Sequence, residues 1–216
     1  MATNDTGRVY ELLVDGGVAL VPTIAGYGLV AMRSGAVERI YALKGRPATK
    51  PCITVSTWPI FDEVVGGVEP ALRSWLVDTT SWAPLAVVGA IAPGSRLVAG
   101  MEPFVRAQCT SDGTIALFHN AGTLVTAVAE RAFVDGRLVV GSSANRSGAG
   151  NSYTLADVPP EMRAGVDLVI DVGSIPRTDD RPLATTLLDL TRQRFLRQGI
   201  AFDRIERAWQ AHLAAV

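Results

Sequence analysis

The feature that most constrains the fold is a regular alternation, along the whole chain, of apolar β-branched runs with amphipathic stretches. The apolar runs predict strands in GGVALVPT (16–23), PCITVS (51–56), PLAVVGAIA (84–92), GTIALF (113–118), RLVVGSS (137–143), VDLVIDV (166–172) and TTLLDL (185–190). Apolar residues at three- and four-residue spacing predict helices over 34–44, 57–67, 70–80, 121–134, 154–162 and 201–213. This alternation predicts an α/β sheet covered on both faces, with ligands at strand ends and loops.

The composition is that of a compact folded protein, with 216 residues, 48% of them hydrophobic, and a formal net charge of -1. Cys52 and Cys109 have no Cys or His at ligand spacing around them, which predicts two reduced thiols and no zinc site. The chain shows no leader-like segment and no apolar run of about 18 residues, so we expect a cytoplasmic protein without a membrane span. The near-neutral charge disfavours nucleic-acid binding by the whole surface but leaves a local basic groove open.

The stretch YALKGRPATKP (41–51) concentrates positive charge, with Lys44, Arg46 and Lys50 close together. The helical spacing puts Lys44 in line with the apolar stripe of its helix, and the glycine after it suits a helix end. The proline after Arg46 favours an extended conformation of that arginine. Two interpretations remain open. Either Lys44 and Arg46 bind an anion such as phosphate, or Lys44 reaches past the helix end and Arg46 caps carbonyls.

The stretch VVGSSANRSGAGNS (139–152) runs from an apolar strand directly into small polar residues and glycines, which allow a ligand to approach the backbone. Gly141 and Ser143 match the start of the nucleophile-elbow motif Gly-x-Ser-x-Gly, but Asn145 replaces its last glycine. His119 is the plausible base, because the other histidine lies in the predicted C-terminal helix. A serine hydrolase, a ligand-binding loop and a structural turn therefore all remain open.

In this order along the chain, these segments resemble the YrdC-like family, whose best-known members are threonylcarbamoyl-AMP synthases. Lys44, Arg46, Ser143 and Asn145 match the family pattern of Lys-x-Arg followed by Ser-x-Asn. Further matching stretches are VPTIAGYGL, SSANRSG, ATTLLDL and FLRQG. The resemblance extends over about residues 8 to 206. It implies a single domain over 1–216, with a twisted mixed sheet and flanking helices around a concave cavity.

The resemblance implies that the chain binds ATP with Mg²⁺ and joins bicarbonate and L-threonine into a carbamate. The carbamate attacks the α-phosphorus, pyrophosphate leaves, and the product serves tRNA modification through relay proteins. The resemblance assigns catalysis to Lys44 and Arg46. The nucleotide contacts that it implies are Lys44, Arg46, Thr114, Ser143, Asn145, Thr185 and Arg197. The substrate-pocket residues that it implies are Thr23, Ala25, Tyr27, Lys50, Phe118 and Asn151. No protein ligand to a metal is implied.

The chain departs from the family pattern on the amino-acid side of the implied site. Ala25 and Asn151 replace a threonine and a serine that contact the amino acid in the family, and Phe118 replaces an arginine. Replacing arginine with an aromatic ring removes a carboxylate partner, which predicts a small-molecule acceptor, an amino acid or an amine, other than threonine. Lys50 could supply the missing cation. The alternative is a nucleotide- or RNA-binding module of the same fold, including binding of double-stranded RNA, without synthase activity.

Overall fold

The computed structural model describes residues 2–45, 47, 49–146, 148–177 and 181–215, and in these ranges the chain forms nine α-helices and ten strands. The helices are α1 (Ala2–Val14), α2 (Ser34–Lys44), α3 (Trp58–Val64), α4 (Pro70–Trp82), α5 (Arg96–Ala99), α6 (Pro103–Cys109), α7 (Thr123–Val134), α8 (Pro160–Ala164) and α9 (Phe202–Ala215). The strands are β1 (Ala19–Thr23), β2 (Gly26–Ala31), β3 (Ile53–Val55), β4 (Leu85–Ala90), β5 (Thr110–Ser111), β6 (Thr114–His119), β7 (Val140–Ser143), β8 (Leu168–Val169), β9 (Thr186–Asp189) and β10 (Arg194–Arg197). None of these helices is long and apolar enough to cross a membrane.

The strands form one twisted, mixed sheet in the order β10-β9-β4-β6-β3-β7-β2-β1-β8, with β5 paired to β6. The β3–β6, β4–β9 and β1–β8 pairs are parallel, whereas β2, β7 and β3 pair antiparallel. The predicted α/β class and the mixed sheet are confirmed. Mixed pairing follows from the connections, because β1 and β2 are joined by a tight hairpin that forces an antiparallel pair.

The sheet is buried on both faces, as its near-continuous apolar strands predict. In β1, Ala19 and Val21 belong to one hydrophobic cluster, whereas Leu20 between them belongs to a second. Successive strand residues point to opposite faces, so each face of the sheet packs against its own layer. Val9 of α1 lies in the first cluster and Val37 of α2 in the second.

The apolar patterns do not predict α1, α5, α6, β2, β5 or β10. In β2, Gly26 and Gly28 interrupt the apolar run, and glycine weakens the local preference for strand. The predicted helix over 154–162 is instead a 3-10 turn, Leu155–Asp157, followed by α8. Pro159 and Pro160 explain this break, since proline is tolerated in the first turn of a helix but not in its interior. Cys52 and Cys109 are buried and form no disulfide within the described residues.

The glycine at the start of β2 brings two distant segments together. Gly26 has a φ of +101°, and a Cβ there would lie 2.6 Å from the carbonyl oxygen of Ser152. The same carbonyl accepts a hydrogen bond from the Tyr27 amide at 2.7 Å. Only glycine permits this approach, which holds the segment around Ser152 against the β1–β2 hairpin.

Candidate functional site

The basic loop begins at Lys44, the last residue of α2, and its ammonium is buried. Gly45 caps the helix in the left-handed conformation, as the sequence predicts. Lys44 is only 4% exposed and lies with Val37 and Ile40 on the buried face of α2. Its Nζ donates to the carbonyl of Ser143 and, at 2.6 Å, to the carbonyl of Asn145. Lys44 therefore joins α2 to the loop that follows β7.

The loop between α2 and β3 is anchored at its far end as well. The Tyr41 hydroxyl donates to the Lys50 carbonyl at 2.7 Å, and the Lys50 amide donates to the Pro47 carbonyl at 3.0 Å. The Lys50 side chain is exposed. Arg46, predicted to act with Lys44, lies outside the described residues. The bonds of Lys44 to two carbonyls agree with the interpretation in which the lysine reaches past the helix end, and they leave its contact with phosphate a prediction.

Asn145 organises the loop after β7 with its backbone and side chain. Its Nδ2 donates to the carbonyls of Arg146 at 3.0 Å and Ala149 at 2.6 Å. Its Oδ1 is buried and has no hydrogen-bond partner within the described ranges. A buried acceptor without a donor costs about 1–3 kcal/mol. The side chain thus presents an acceptor suited to a ligand N–H or O–H.

A cavity of about 380 Å³ lies beside this loop, a volume typical of small-molecule sites. Asn145 and Asn151, both predicted from the sequence, line it together with Arg146, Tyr153, Arg177 and Pro182. The loop reaches across to the segment before β9, because the Asn151 amide donates to the Pro182 carbonyl at 3.0 Å. The Tyr153 hydroxyl donates to the Leu183 carbonyl at 3.0 Å.

Two arginines and one carboxylate, that of Asp157, line the cavity. Arg146 pairs with Glu161 at 2.6 Å across an exposed surface, where such a pair contributes little to stability. Arg177 is exposed, and its guanidinium carbon lies 5.5 Å from the centre of the Tyr153 ring. Hydrogen bonds from Thr154, led by that of its backbone amide, and then one from the Tyr153 amide hold the pKa of Asp157 below its usual value, with a smaller contribution from the charge of Arg177. Asp157 completes the capping box of the 3-10 turn that begins at Thr154, and Arg146 and Arg177 are the cations that line the cavity.

The predicted substrate residues of the β1–β2 hairpin are used within the fold. The Thr23 hydroxyl donates to the Gly26 carbonyl at 2.6 Å and accepts the Ala25 amide at 3.2 Å. The Ala25 carbonyl accepts Nδ2 of Asn151 at 2.7 Å, which brings two of the departures from the family pattern into contact. The Tyr27 hydroxyl lies 3.0 Å from Oδ1 of Asp171 and accepts the amide of Val172.

Phe118, the third departure, lies in the core. It is 7% exposed and belongs to the same hydrophobic cluster as Ala25, which is 5% exposed. Its register partners are Val55 of β3 and Ala86 of β4, so it occupies a central strand. A buried apolar side chain thus occupies the position where the family pattern has an arginine.

The predicted nucleotide residues outside the loop fall into two places. Arg197 of β10 donates from Nε to the Thr185 carbonyl at 2.7 Å, which joins the two C-terminal motifs. Thr114 begins β6, and its hydroxyl donates to the Ser111 carbonyl at 2.6 Å. Strands β6 and β7 both pair with β3, and their registers place Thr114 and Ser143 toward the same end of the strands. The two residues are about two strand spacings, or about 10 Å, apart.

The geometry does not support a serine hydrolase. Thr54 of β3 pairs with Leu117 of β6 on one side and with Val140 of β7 on the other. Measured from these paired residues, His119 lies toward one end of the strands and Ser143 toward the opposite end. They are separated by about 16 Å along the strands alone, whereas a nucleophile and its base need about 3 Å. His119 stacks on Trp58 at 4.6 Å, and burial lowers its pKa to about 4.

The sequence analysis missed Arg146, Tyr153 and Arg177 in the cavity wall. Arg146 stands inside the quoted SSANRSG stretch, and Arg177 follows Pro176, whereas Arg46 and Lys50 each precede a proline in the loop after α2. A search for proline-flanked arginines would have found the second. Across the described ranges, no three His, Cys, Asp or Glu side chains form a group that could hold a metal ion.

The chain matches one family model and several solved structures. The model of the Sua5_yciO_yrdC family, described as "Telomere recombination", matches residues 11–199. Sua5 of P. abyssi, solved with L-threonine, is 22% identical with a TM-score of 0.74, and the match covers 96% of this chain and 58% of that one. The chain thus spans less than two thirds of that Sua5. No curated protein matches.

Two further structures match over nearly their whole length. The hypothetical protein smu.1377c of Streptococcus mutans UA159 is 18% identical with a TM-score of 0.77, covering 96% of this chain and 90% of that one. YciO of E. coli is also 18% identical, with a TM-score of 0.69 and coverage of 92% and 90%. At these identities the likeness establishes the fold.

Lys44→Met is expected to lower the free energy of unfolding by about 2 kcal/mol, because it leaves the carbonyls of Ser143 and Asn145 without their donor. Lys50→Met makes the same change at an exposed lysine and should cost less than about 1 kcal/mol. Urea denaturation of both variants measures the difference. Equal costs would show that the buried ammonium does not hold the loop.

His119 should make stability fall as the pH is lowered from about 6.5 to about 4. In this window the unfolded histidine binds a proton, whereas the folded one, with its pKa lowered to about 4, does not. The loss amounts to about 3 kcal/mol at about 1.4 kcal/mol per pH unit. His119→Phe keeps a ring beside Trp58 and removes the titration, so unfolding curves at several pH values should diverge between the two proteins. Parallel curves would contradict a buried neutral histidine.

Proposed function

Because the chain belongs to the Sua5/YciO/YrdC family, we propose that it is an ATP-dependent enzyme that forms a carbamoyl-type adenylate. An amine condenses with bicarbonate to a carbamate and water. A carbamate oxygen then attacks the α-phosphorus of ATP, and the bond to pyrophosphate breaks. Such chemistry needs an oriented nucleophile and cations around a polyphosphate, and little covalent chemistry from the protein.

The observation that carries this proposal is the buried Asn145 Oδ1, without a partner in the described ranges, beside a cavity that also holds Arg146 and Arg177. A nucleotide offers the matching groups, since its hydroxyl and amino groups donate and its phosphates accept from guanidinium forks. Mg²⁺ would arrive with the polyphosphate, because this ion commonly binds through substrate phosphates and few protein carboxylates.

In this proposal the main role of Lys44 is to position Asn145. Its ammonium fixes the two carbonyls that flank the Ser143–Asn145 turn, and so aims the side chain of Asn145. Arg46, two residues beyond, is proposed to meet phosphate or carbamate oxygens. Thr185 and Arg197 are proposed to complete the nucleotide side, since their segment is bonded to the cavity loop through Pro182 and Leu183.

The acceptor is proposed to be a small molecule other than threonine, and the pocket walls favour an amine without a carboxylate over an amino acid. Sua5 of P. abyssi was solved with L-threonine, which supports a small-molecule acceptor in this family. Here the walls at Ala25 and Phe118 are buried and apolar, so they offer no cation to a carboxylate. A buried carboxylate without a partner is strongly disfavoured. The adenylate product would pass to further proteins that modify tRNA.

Arg177→Gln is expected to weaken Mg²⁺–ATP binding by about tenfold, because one charge-assisted phosphate contact contributes about 1.5–3 kcal/mol. Isothermal titration calorimetry measures this. Arg207→Gln, at an exposed position of α9, is the matched control and should bind like the wild type. Equal affinity in the wild type and Arg177→Gln would show that ATP does not bind in the arginine-lined cavity.

Pyrophosphate release from ATP and bicarbonate should depend on an added acceptor, and L-threonine should be a poor one. A panel of amino acids and amines, assayed for pyrophosphate, identifies the best acceptor. Threonine turnover at an ordinary rate of about 1 per second or more would contradict the altered acceptor while supporting the adenylate chemistry. ATP binding without pyrophosphate release for any acceptor would instead support the nucleotide-binding module.

A further inference from the structure

A second cavity, of about 240 Å³, lies at the opposite end of β2 and β7 from the candidate site. Gly28 pairs with Ser143 at the end near Asn145, whereas Ala31 pairs with Val140 at the other end. The second cavity lies beyond Ala31, where the chain leaves β2, turns between α5 and α6, and enters β7. Its volume is below the roughly 300–1,000 Å³ of drug-sized ligand sites, so it suits a smaller molecule.

The floor of this cavity is apolar and its walls come close together. Met32, Leu97 and Leu138 line it and are each at most 7% exposed. Gly100 and Gly136 face each other across it, since a Cβ on Gly100 would lie 3.9 Å from the Gly136 carbonyl. The two turns therefore approach each other closely at these glycines, which contribute no side chain to the cavity.

One pair of charges in the wall is already neutralised. Arg33 donates from its guanidinium to Glu102 at 3.1 Å, and the other carboxylate oxygen of Glu102 accepts the Ser34 amide at 2.7 Å. These bonds, led by that from the Ser34 backbone, hold the pKa of Glu102 below its usual value. Arg33 and Glu102 thus add no net charge to the cavity.

A second pair of opposite charges is present but not joined. Asp135 and Arg137 both line the cavity, two residues apart in the turn before β7. Asp135 accepts the Tyr10 hydroxyl, and Arg137 forms no ion pair within the part of the chain that the structure describes. Within the described residues, the cavity is therefore lined by one anionic and one cationic group that form no ion pair with each other, above an apolar floor.

We propose that this cavity binds a small zwitterion, an amino acid with a short apolar side chain. The ligand carboxylate pairs with the Arg137 guanidinium, its ammonium pairs with the Asp135 carboxylate, and its side chain covers the apolar floor. A simple anion bound to Arg137 would be repelled by the Asp135 carboxylate. A simple amine bound to Asp135 would be repelled by the Arg137 guanidinium. Only a ligand with both charges gains both contacts.

The test is a titration of the full chain by two-dimensional ¹H–¹⁵N NMR with L-alanine, acetate and methylamine. L-alanine should shift the amides of Gly100 and Gly136 with saturation, and acetate and methylamine should bind at least about tenfold more weakly. The amides of Asn151 and Ser152 report the other cavity separately, so binding there is distinguished. Acetate or methylamine binding as tightly as L-alanine would overturn the zwitterion.

Variants assign the two charges. Arg137→Gln and Asp135→Asn keep the shape of each side chain and should each weaken L-alanine binding by about tenfold or more. The matched control is Arg207→Gln, which should bind like the wild type. Because Asp135 also holds Tyr10, the Arg137 variant decides the question if Asp135→Asn perturbs the fold. Unchanged affinity in Arg137→Gln, or no shift at Gly100 and Gly136 in the wild type, would refute the site.

Discussion

The arrangement of the site depends on one buried ammonium at the end of α2. An ammonium removed from water costs several kcal/mol unless hydrogen bonds replace its hydration. Lys44 meets this requirement with two carbonyls from the loop after β7, about a hundred residues away in sequence. The requirement acts in both directions. The helix cannot bury its last residue without the loop, and the loop carbonyls would lack their donor without the helix.

The remaining contacts of this loop extend that constraint to the rest of the cavity. Ser152 accepts the Tyr27 amide, Asn151 bonds Ala25 and Pro182, and Tyr153 bonds Leu183. Most of these bonds involve backbone groups, so they fix the path of the chain and leave the polar ends of Asn145 and the arginines for a ligand. A site held in this way is preorganised, which lowers the entropy lost on binding.

The sequence predicted the layered α/β fold because apolar alternation reports burial directly, and it predicted the helix end at Gly45 because glycine has a specific backbone role there. It could not show the partner of Lys44, since bonds to backbone carbonyls leave no trace in residue types. Strand β2 was not predicted for a related reason. Gly26 at its start is dictated by the close approach of Ser152, a tertiary contact that overrides local propensity. Family resemblance located Ser143 and Asn145, but Arg177 enters the cavity only through the folded path of its loop.

The position of Phe118 suggests why the acceptor side would change as a unit. An arginine at this place must reach a ligand from a central strand whose neighbours, Val55 and Ala86, are apolar and buried. Its charge is tolerated only while a bound carboxylate or water compensates it. Once the acceptor lacks a carboxylate, an apolar residue at this position packs better, and a small residue at Ala25 then completes the same cluster. In this proposal, the choice of acceptor and the packing of β6 and the β1–β2 hairpin therefore change together.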